Sequence, residues 1–162
     1  MTELYQAEID TPKGVFLILF SSAGIYEIFF PGSKPGREYP ARELPWPRLA
    51  DDLKRYLKGE KVNWTEYPLD RSGYRPFTST LLEKVSEIPH GQLCTYREAA
   101  ERAGSPLAWR AAGQALKANR HPIIVPCHRV IGSNNRIGGF SGPPGWKQLL
   151  LELEGCKIGL RK

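Results

Sequence analysis

The spacing of apolar residues changes character along the chain. In the first third it runs in short extended stretches, Leu4 to Ile9, Val15 to Phe20 and Ile25 to Phe30, each continuously apolar or alternating. Pro12-Lys13-Gly14 and Ser22-Ala23-Gly24 separate them, and both are turn sequences, so an antiparallel three-stranded meander is predicted. Residues 31–47, rich in Pro, Gly and Arg, read as a surface loop. The period then becomes helical. Leu49, Leu53, Tyr56 and Leu57 share one face, with Asp51 and Asp52 early and Lys54, Arg55 and Lys58 late. That order suits the helix dipole, and Gly59 marks the stop. Residues 61–76 read as extended and loop-like.

Beyond Tyr74 the pattern is mainly helical. Phe77, Leu81, Val85 and Ile88 form one stripe, ended by Pro89-His90-Gly91. Thr95 and Glu98 have capping-box spacing, which predicts a short helix with Ala99, Ala100 and Ala103 inward, stopped by Gly104. Ser105 as N-cap and Pro106 in the first turn then begin another helix. Two helices joined by a glycine-containing turn make a helix-turn-helix pattern. On the second, Arg110, Gln114 and Lys117 recur at i, i+4 and i+7, beside Ala108, Ala111, Ala112, Gly113 and Ala115. Small side chains let a helix backbone come close to a docking partner. The same pattern also describes a solvated face over a small-residue core. The fold class predicted is α/β in the α+β sense: residues 1–73 a sheet with a helix, residues 74–162 a mostly helical domain.

Charge sharpens this division. The net charge is +6, yet residues 1–70 carry 9 Lys/Arg against 11 Asp/Glu, and residues 71–162 carry 14 against 6. A basic second part points to a polyanion partner, or to solubility charge unevenly spread. No apolar run approaches the ~18 residues a bilayer span needs. MTELYQAEID has no basic start, so a secretory leader is not predicted. Cys94, Cys127 and Cys156 are odd in number and widely spaced, which argues against a disulfide scaffold and for a reducing, cytoplasmic setting. No CxxC or HxxxH spacing suggests a metal.

The candidate chemistry lies in Pro122-Ile123-Ile124-Val125-Pro126-Cys127-His128-Arg129-Val130-Ile131. A strand-like run delivers a thiol next to an imidazole and a guanidinium, both able to raise its thiolate fraction. Neighbouring side chains on a strand point to opposite faces, so cooperation between Cys127 and His128 requires a turn or a bridging water. The plainer reading is an inert buried cysteine. In the last helix, Trp146, Leu149, Leu150 and Leu153 share an apolar face, and Glu154 falls on it too. A carboxylate pointing inward needs a partner, for which His128 is the candidate. Otherwise Glu154 frays out beside Gly155.

Val125-Pro126-Cys127-His128-Arg129-Val130 resembles the active-site motif of the O6-alkylguanine-DNA alkyltransferases, and the likeness runs from Phe77 to Leu153-Glu154-Gly155. The resemblance implies a ribonuclease-H-like N-terminal sheet with a helix. It implies a C-terminal domain with a winged-helix-like helix-turn-helix that docks in the minor groove of double-stranded DNA, largely without regard to sequence. It implies direct, single-turnover repair: an alkyl group moves from guanine O6, or thymine O4, to Cys127. By position, His128 resembles the residue that takes the thiol proton through a water, Glu154 the carboxylate that orients it, and Asn119 the asparagine bracing the reactive turn. Tyr96 resembles the donor to guanine N3. Arg110 resembles the arginine that fills the stack vacated by the flipped nucleotide, with Thr95, Ala108, Gln114 and Lys117 as further DNA contacts. Pro122, Cys127, Val130, Phe140, Ser141 and Gly142 resemble the guanine pocket.

Three departures from the family pattern stand out. Phe140 occupies a place where tyrosine is usual, and Trp109 and Gln114 replace small residues on the recognition helix. The resemblance implies no cofactor, no metal, no membrane partner and a monomer, cytoplasmic and at the nucleoid in a prokaryote or nuclear in a eukaryote. Rival readings are a lesion-binding relative that flips bases without repair, a methylation-sensing DNA-binding regulator, and a Cys-His hydrolase. The first of these carries Trp at the acceptor position, where this chain has Cys127.

Overall fold

The computed structural model describes residues 2–140 and 142–156. The chain divides into two compact units, Met1–Ser72 and Gly73–Lys162. Together they make an α+β protein. No helix among the described residues is long and apolar enough to cross a membrane.

The first unit is the predicted meander, β1 (Tyr5–Thr11), β2 (Gly14–Ser21) and β3 (Gly24–Phe29), antiparallel in that order. Alternation buries Ile9 in β1 and Phe16, Ile18 and Phe20 in β2; Leu19 on the other face is buried too, and β3 buries Ile25 and Ile28. Helix α1 (Leu49–Tyr56) follows and buries Leu49, Leu53 and Tyr56. The predicted loops have a structural task. Gln6 exchanges backbone hydrogen bonds with Pro40 and Arg42, and Ile25 with Pro68 and Asp70, so irregular segments cover both edges of the sheet. Buried Asp70 then accepts from the hydroxyls of Ser21 and Ser72, which anchors the second of these segments.

The second unit packs α2 (Pro76–Val85), α3 (Tyr96–Arg102) and α4 (Trp109–Lys117) against one another. Thr95 caps α3 with the full capping box: its side chain accepts from the Glu98 N–H, and Glu98 accepts from the Thr95 N–H. Helix α4 starts later than Ser105-Pro106 suggests. Residues 105–108 form a turn closed by the Ala108 N–H on the Ser105 carbonyl, and Ala108 is the N-cap. Pro122–Val125 is not a strand. The Val125 N–H closes onto the His121 carbonyl, and Ile123 adopts φ +74°. That turn leads into a single 3-10 turn at Cys127–Arg129. Next, β5 (Val130–Ile131) pairs in parallel with β4 (Cys94–Thr95). Helix α5 (Trp146–Leu153) closes the unit, and its buried stripe is Lys147, Leu150, Leu151 and Glu154. The sequence placed Trp146, Leu149 and Leu153 on that face; the helix is rotated so that a lysine leads it.

Candidate active site

Cys127 and His128 lie on a 3-10 turn and not on a strand, so their side chains are not forced to opposite faces. Tight winding brings the Cys127 sulfur against backbone N–H groups of its own turn, at Cys127 and His128, and against the Asn119 side chain. Asn119 grips the turn from both ends: its amide nitrogen donates to the Val125 carbonyl at 3.1 Å, and its oxygen accepts the His121 N–H at 2.9 Å. Every residue from His121 to Ile131 is buried. Burial therefore pushes the Cys127 thiol up, opposed by the hydrogen bond from Asn119, the Lys147 charge and the two N–H groups. At rest the residue is therefore held as a thiol.

His128, next in sequence to the thiol, pairs with Glu154. Nε2 of His128 lies 2.7 Å from Glu154 Oε2, with both side chains fully buried. Burial alone would raise the Glu154 carboxyl, but hydrogen bonds from His128 and Arg129 outweigh it and hold it well below the usual carboxylate range. An ionised carboxylate only accepts, so Nε2 carries the hydrogen and Nδ1 keeps a lone pair. Burial also lowers the His128 pKa, with Glu154 working against it, which keeps the ring neutral and basic at rest. Glu154 does not fray. Its remaining capacity is taken by the Gly91 N–H at 3.1 Å and by both Nε and Nη2 of Arg129, at 2.8 and 2.9 Å.

Arg129 differs from its sequence expectation. Its guanidinium is bidentate on Glu154, and Nη1 donates to the Ile88 carbonyl at 2.6 Å. It belongs to the carboxylate and not to the thiol. The cation whose field favours the Cys127 thiolate is Lys147. Lys147 is buried, and Nζ donates to the carbonyls of Val130 at 2.7 Å and Gly139 at 2.9 Å. Burial lowers its pKa to about 8, opposed by Cys127, so it is mostly charged near neutrality.

A mostly apolar cleft of about 360 Å³ reaches Cys127. Tyr96, Gly139 and Phe140 form one side of its lining, and Trp109, Arg110, Gly113, Gln114, Leu116 and Lys117 of α4 the other. Tyr96 begins α3, and its hydroxyl accepts the Gly139 N–H at 3.1 Å, tying the loop to the helix. Gly138 has φ +74°, and a Cβ there would lie 2.5 Å from the Tyr96 hydroxyl, so this close approach requires glycine. Gly113 is the opposite case. A Cβ there would meet nothing within 4 Å, so packing within the chain does not explain a helix-interior glycine.

Residues 76–156 match the family model described as the 6-O-methylguanine DNA methyltransferase, DNA binding domain. The methylated-DNA–protein-cysteine methyltransferase of Haemophilus influenzae is 35% identical over 158 residues, covering 95% of this chain and 88% of that one. The chain belongs to this methyltransferase family. A crystal structure of Mycobacterium tuberculosis OGT in complex with DNA superposes with a TM-score of 0.83 at 30% identity, covering 93% and 92% of the two chains. A DNA base-flipping protein of Thermus thermophilus is 37% identical over 109 residues, 67% of this chain and 73% of that one.

Within this family member the structure gathers Cys127, Asn119, His128 and Glu154 into one buried cluster, and Tyr96, Arg110, Gln114, Lys117 and Phe140 around the cleft. Pro122 and Val130 are buried in the reactive segment and do not line the cleft. Thr95 and Ala108 serve as helix caps outside the lining, and half-buried Gly142 is also outside it. Ser141 lies outside the described residues. Leu107 is 94% exposed and Trp109 41%, two of the three large apolar side chains left exposed among the described residues. Sequence reasoning missed Lys147. Its signal was the i, i+3, i+4, i+7 spacing with Leu150, Leu151 and Glu154, which places a lysine on the buried stripe.

Proposed function

We propose that this chain repairs DNA by moving an alkyl group from guanine O6 to the sulfur of its own Cys127, once per molecule. The observation carrying this reading is a buried thiol, held by Asn119 and next in sequence to a Glu154-bound imidazole, that lines a mostly apolar cleft of about 360 Å³. The family supports the substrate class. Residues 1–73 form the ribonuclease-H-like domain, and α3 and α4 act as the helix-turn-helix.

The basic face of α4 docks in the minor groove of duplex DNA, with phosphate contacts that carry no sequence information. O6 is unreachable inside a duplex, so the nucleotide is extruded at a cost of roughly a few kcal/mol. Arg110, exposed at the start of α4, fills the vacated stack and offsets that cost. The flipped guanine enters the cleft between α4 on one side and Tyr96, Gly139 and Phe140 on the other. The thiol proton passes to Nδ1 of His128 through a water, and Glu154 holds the resulting imidazolium. Sulfur attacks the alkyl carbon, an S–C bond forms, and the C–O6 bond breaks with its electron pair going to the purine. The Tyr96 hydroxyl donates to N3 as charge gathers there. The thioether has no route back, so the protein acts as a stoichiometric reagent.

The direct test uses duplex DNA carrying an isotope-labelled O6-methyl group. The label should appear in the peptide containing Cys127, and Cys127→Ser should bind the same DNA without taking it up. Label in any other peptide would overturn the assignment.

A further inference from the structure

His121 is completely buried, and no step above uses it. Its Nδ1 lies 3.0 Å from the Tyr74 hydroxyl, which also accepts the Arg120 N–H at 2.8 Å. The Tyr74 ring is flanked by the Arg120 guanidinium, 4.2 Å from its centroid, and by the edge-on His121 ring at 5.9 Å. Tyr74 thus grips two consecutive residues immediately after Asn119. The backbone of His121 continues the chain of contacts: its N–H holds the Asn119 oxygen, and its carbonyl closes the turn on the Val125 N–H. We propose that Tyr74 and His121 form a brace that positions Asn119 against the acceptor sulfur, a role that rests on Cys127 being the acceptor.

The turn needs such a brace. Ile123 sits inside it at φ +74°, a left-handed conformation that is an outlier for a β-branched residue. A strained residue of this kind persists only when its surroundings over-determine it. On one side the turn is held by the Asn119 amide on Val125, and on the other by Tyr74 acting through Arg120 and His121. Tyr74 comes just before α2, whose first residue is Pro76, so its position is set outside the turn it supports. With its hydroxyl gone, the Asn119–Val125 segment relaxes and the Asn119 amide leaves the sulfur. Tyr74 and His121 touch no substrate and are positioning residues.

The test compares the intact protein with Tyr74→Phe, His121→Leu, the double variant and His121→Asn. Asparagine offers both a donor and an acceptor near the place of Nδ1, so it serves either tautomer. Two rates are read: alkyl uptake from free O6-alkylguanine base, and carboxymethylation of Cys127 by iodoacetate as a function of pH. His121→Leu should slow both by roughly three- to tenfold, the worth of one hydrogen bond, and Tyr74→Phe, which also removes the acceptor of the Arg120 N–H, by at least as much. The pH profile of carboxymethylation should move upward, since the thiolate loses its Asn119 donor. The double variant should be no slower than the slower single, because both break one linkage. His121→Asn should recover most of the rate. Wild-type rates and an unshifted profile in Tyr74→Phe, even with a lower melting temperature, would reduce the pair to packing and overturn the proposal. Additive losses in the double variant would also overturn it. Failure of the unmodified protein to take up alkyl would sink the acceptor assignment instead, and the iodoacetate comparison would still decide the brace.

Discussion

Lys147 donates a 2.9 Å hydrogen bond to the carbonyl of Gly139, and through it α5 holds the loop that faces Cys127 across the cleft. The same ammonium donates to Val130, three residues beyond the thiol. One buried charge therefore fixes the reactive segment and the pocket loop together, and lends its field to the thiolate.

Lys147→Gln keeps an amide donor and removes the charge. Transfer from a free alkylated guanine should slow by about tenfold or more, because the thiolate loses the nearby charge that favours it. The pH dependence of thiol carboxymethylation should shift upward in parallel. The lysine pKa near 8 adds a sign: its help to the thiolate should fade above that pH in the wild type and be missing throughout in the variant. An unchanged profile would remove Lys147 from the chemistry.

Glu154 is held ionised by His128 and Arg129, and its folded pKa is depressed. The stability it contributes is present above the ordinary glutamate range, about 4.3, and is lost as pH falls through the lower folded value. Glu154→Gln leaves a buried guanidinium uncompensated and should cost about 3–5 kcal/mol at neutral pH. In urea unfolding, the gap between wild type and variant should narrow as pH drops from 5 towards 3. A gap constant with pH would mean that Glu154 is not held as a carboxylate.

In the proposed mechanism Arg110 serves base extrusion and Tyr96 the chemistry, so variants of the two should behave differently. Arg110→Ala should slow repair of duplex DNA far more than reaction with the free base, which needs no extrusion. Tyr96→Phe should impair both, by up to about 2.7–4 kcal/mol if the closed site excludes water. Equal losses on both substrates for Arg110→Ala would leave that residue a general phosphate contact.

Gly113 has open space where a Cβ would go. Gly113→Ala should therefore stabilise α4 by about 0.5–1 kcal/mol while weakening DNA binding, because the methyl group occupies the path of the docking backbone. Melting temperature and duplex affinity should move in opposite senses. Unchanged affinity would place the DNA elsewhere on the surface.

The front sheet and the start of α3 were legible because local patterns decide them: alternation in β1 to β3, and the Thr95–Glu98 box. The turn over residues 121–125 was not. Ile123, Ile124 and Val125 have strand composition, yet the Val125 N–H on the His121 carbonyl and the Asn119 side chain fold them into a turn that holds Ile123 at positive φ. Those partners act through tertiary contact, which overrides β-propensity. Arg129 was assigned to the thiol by adjacency, whereas Glu154, arriving from α5, claims it. Lys147 was passed over because lysines are rarely buried; two backbone carbonyls make its burial tolerable here.

The central claim is tested most directly by the intact mass of the protein after incubation with excess duplex DNA containing O6-methylguanine. The account predicts a rise of one methyl group per molecule, located at Cys127, after which uptake stops. Turnover beyond one equivalent, or a methyl group on Cys94 or Cys156, would contradict it.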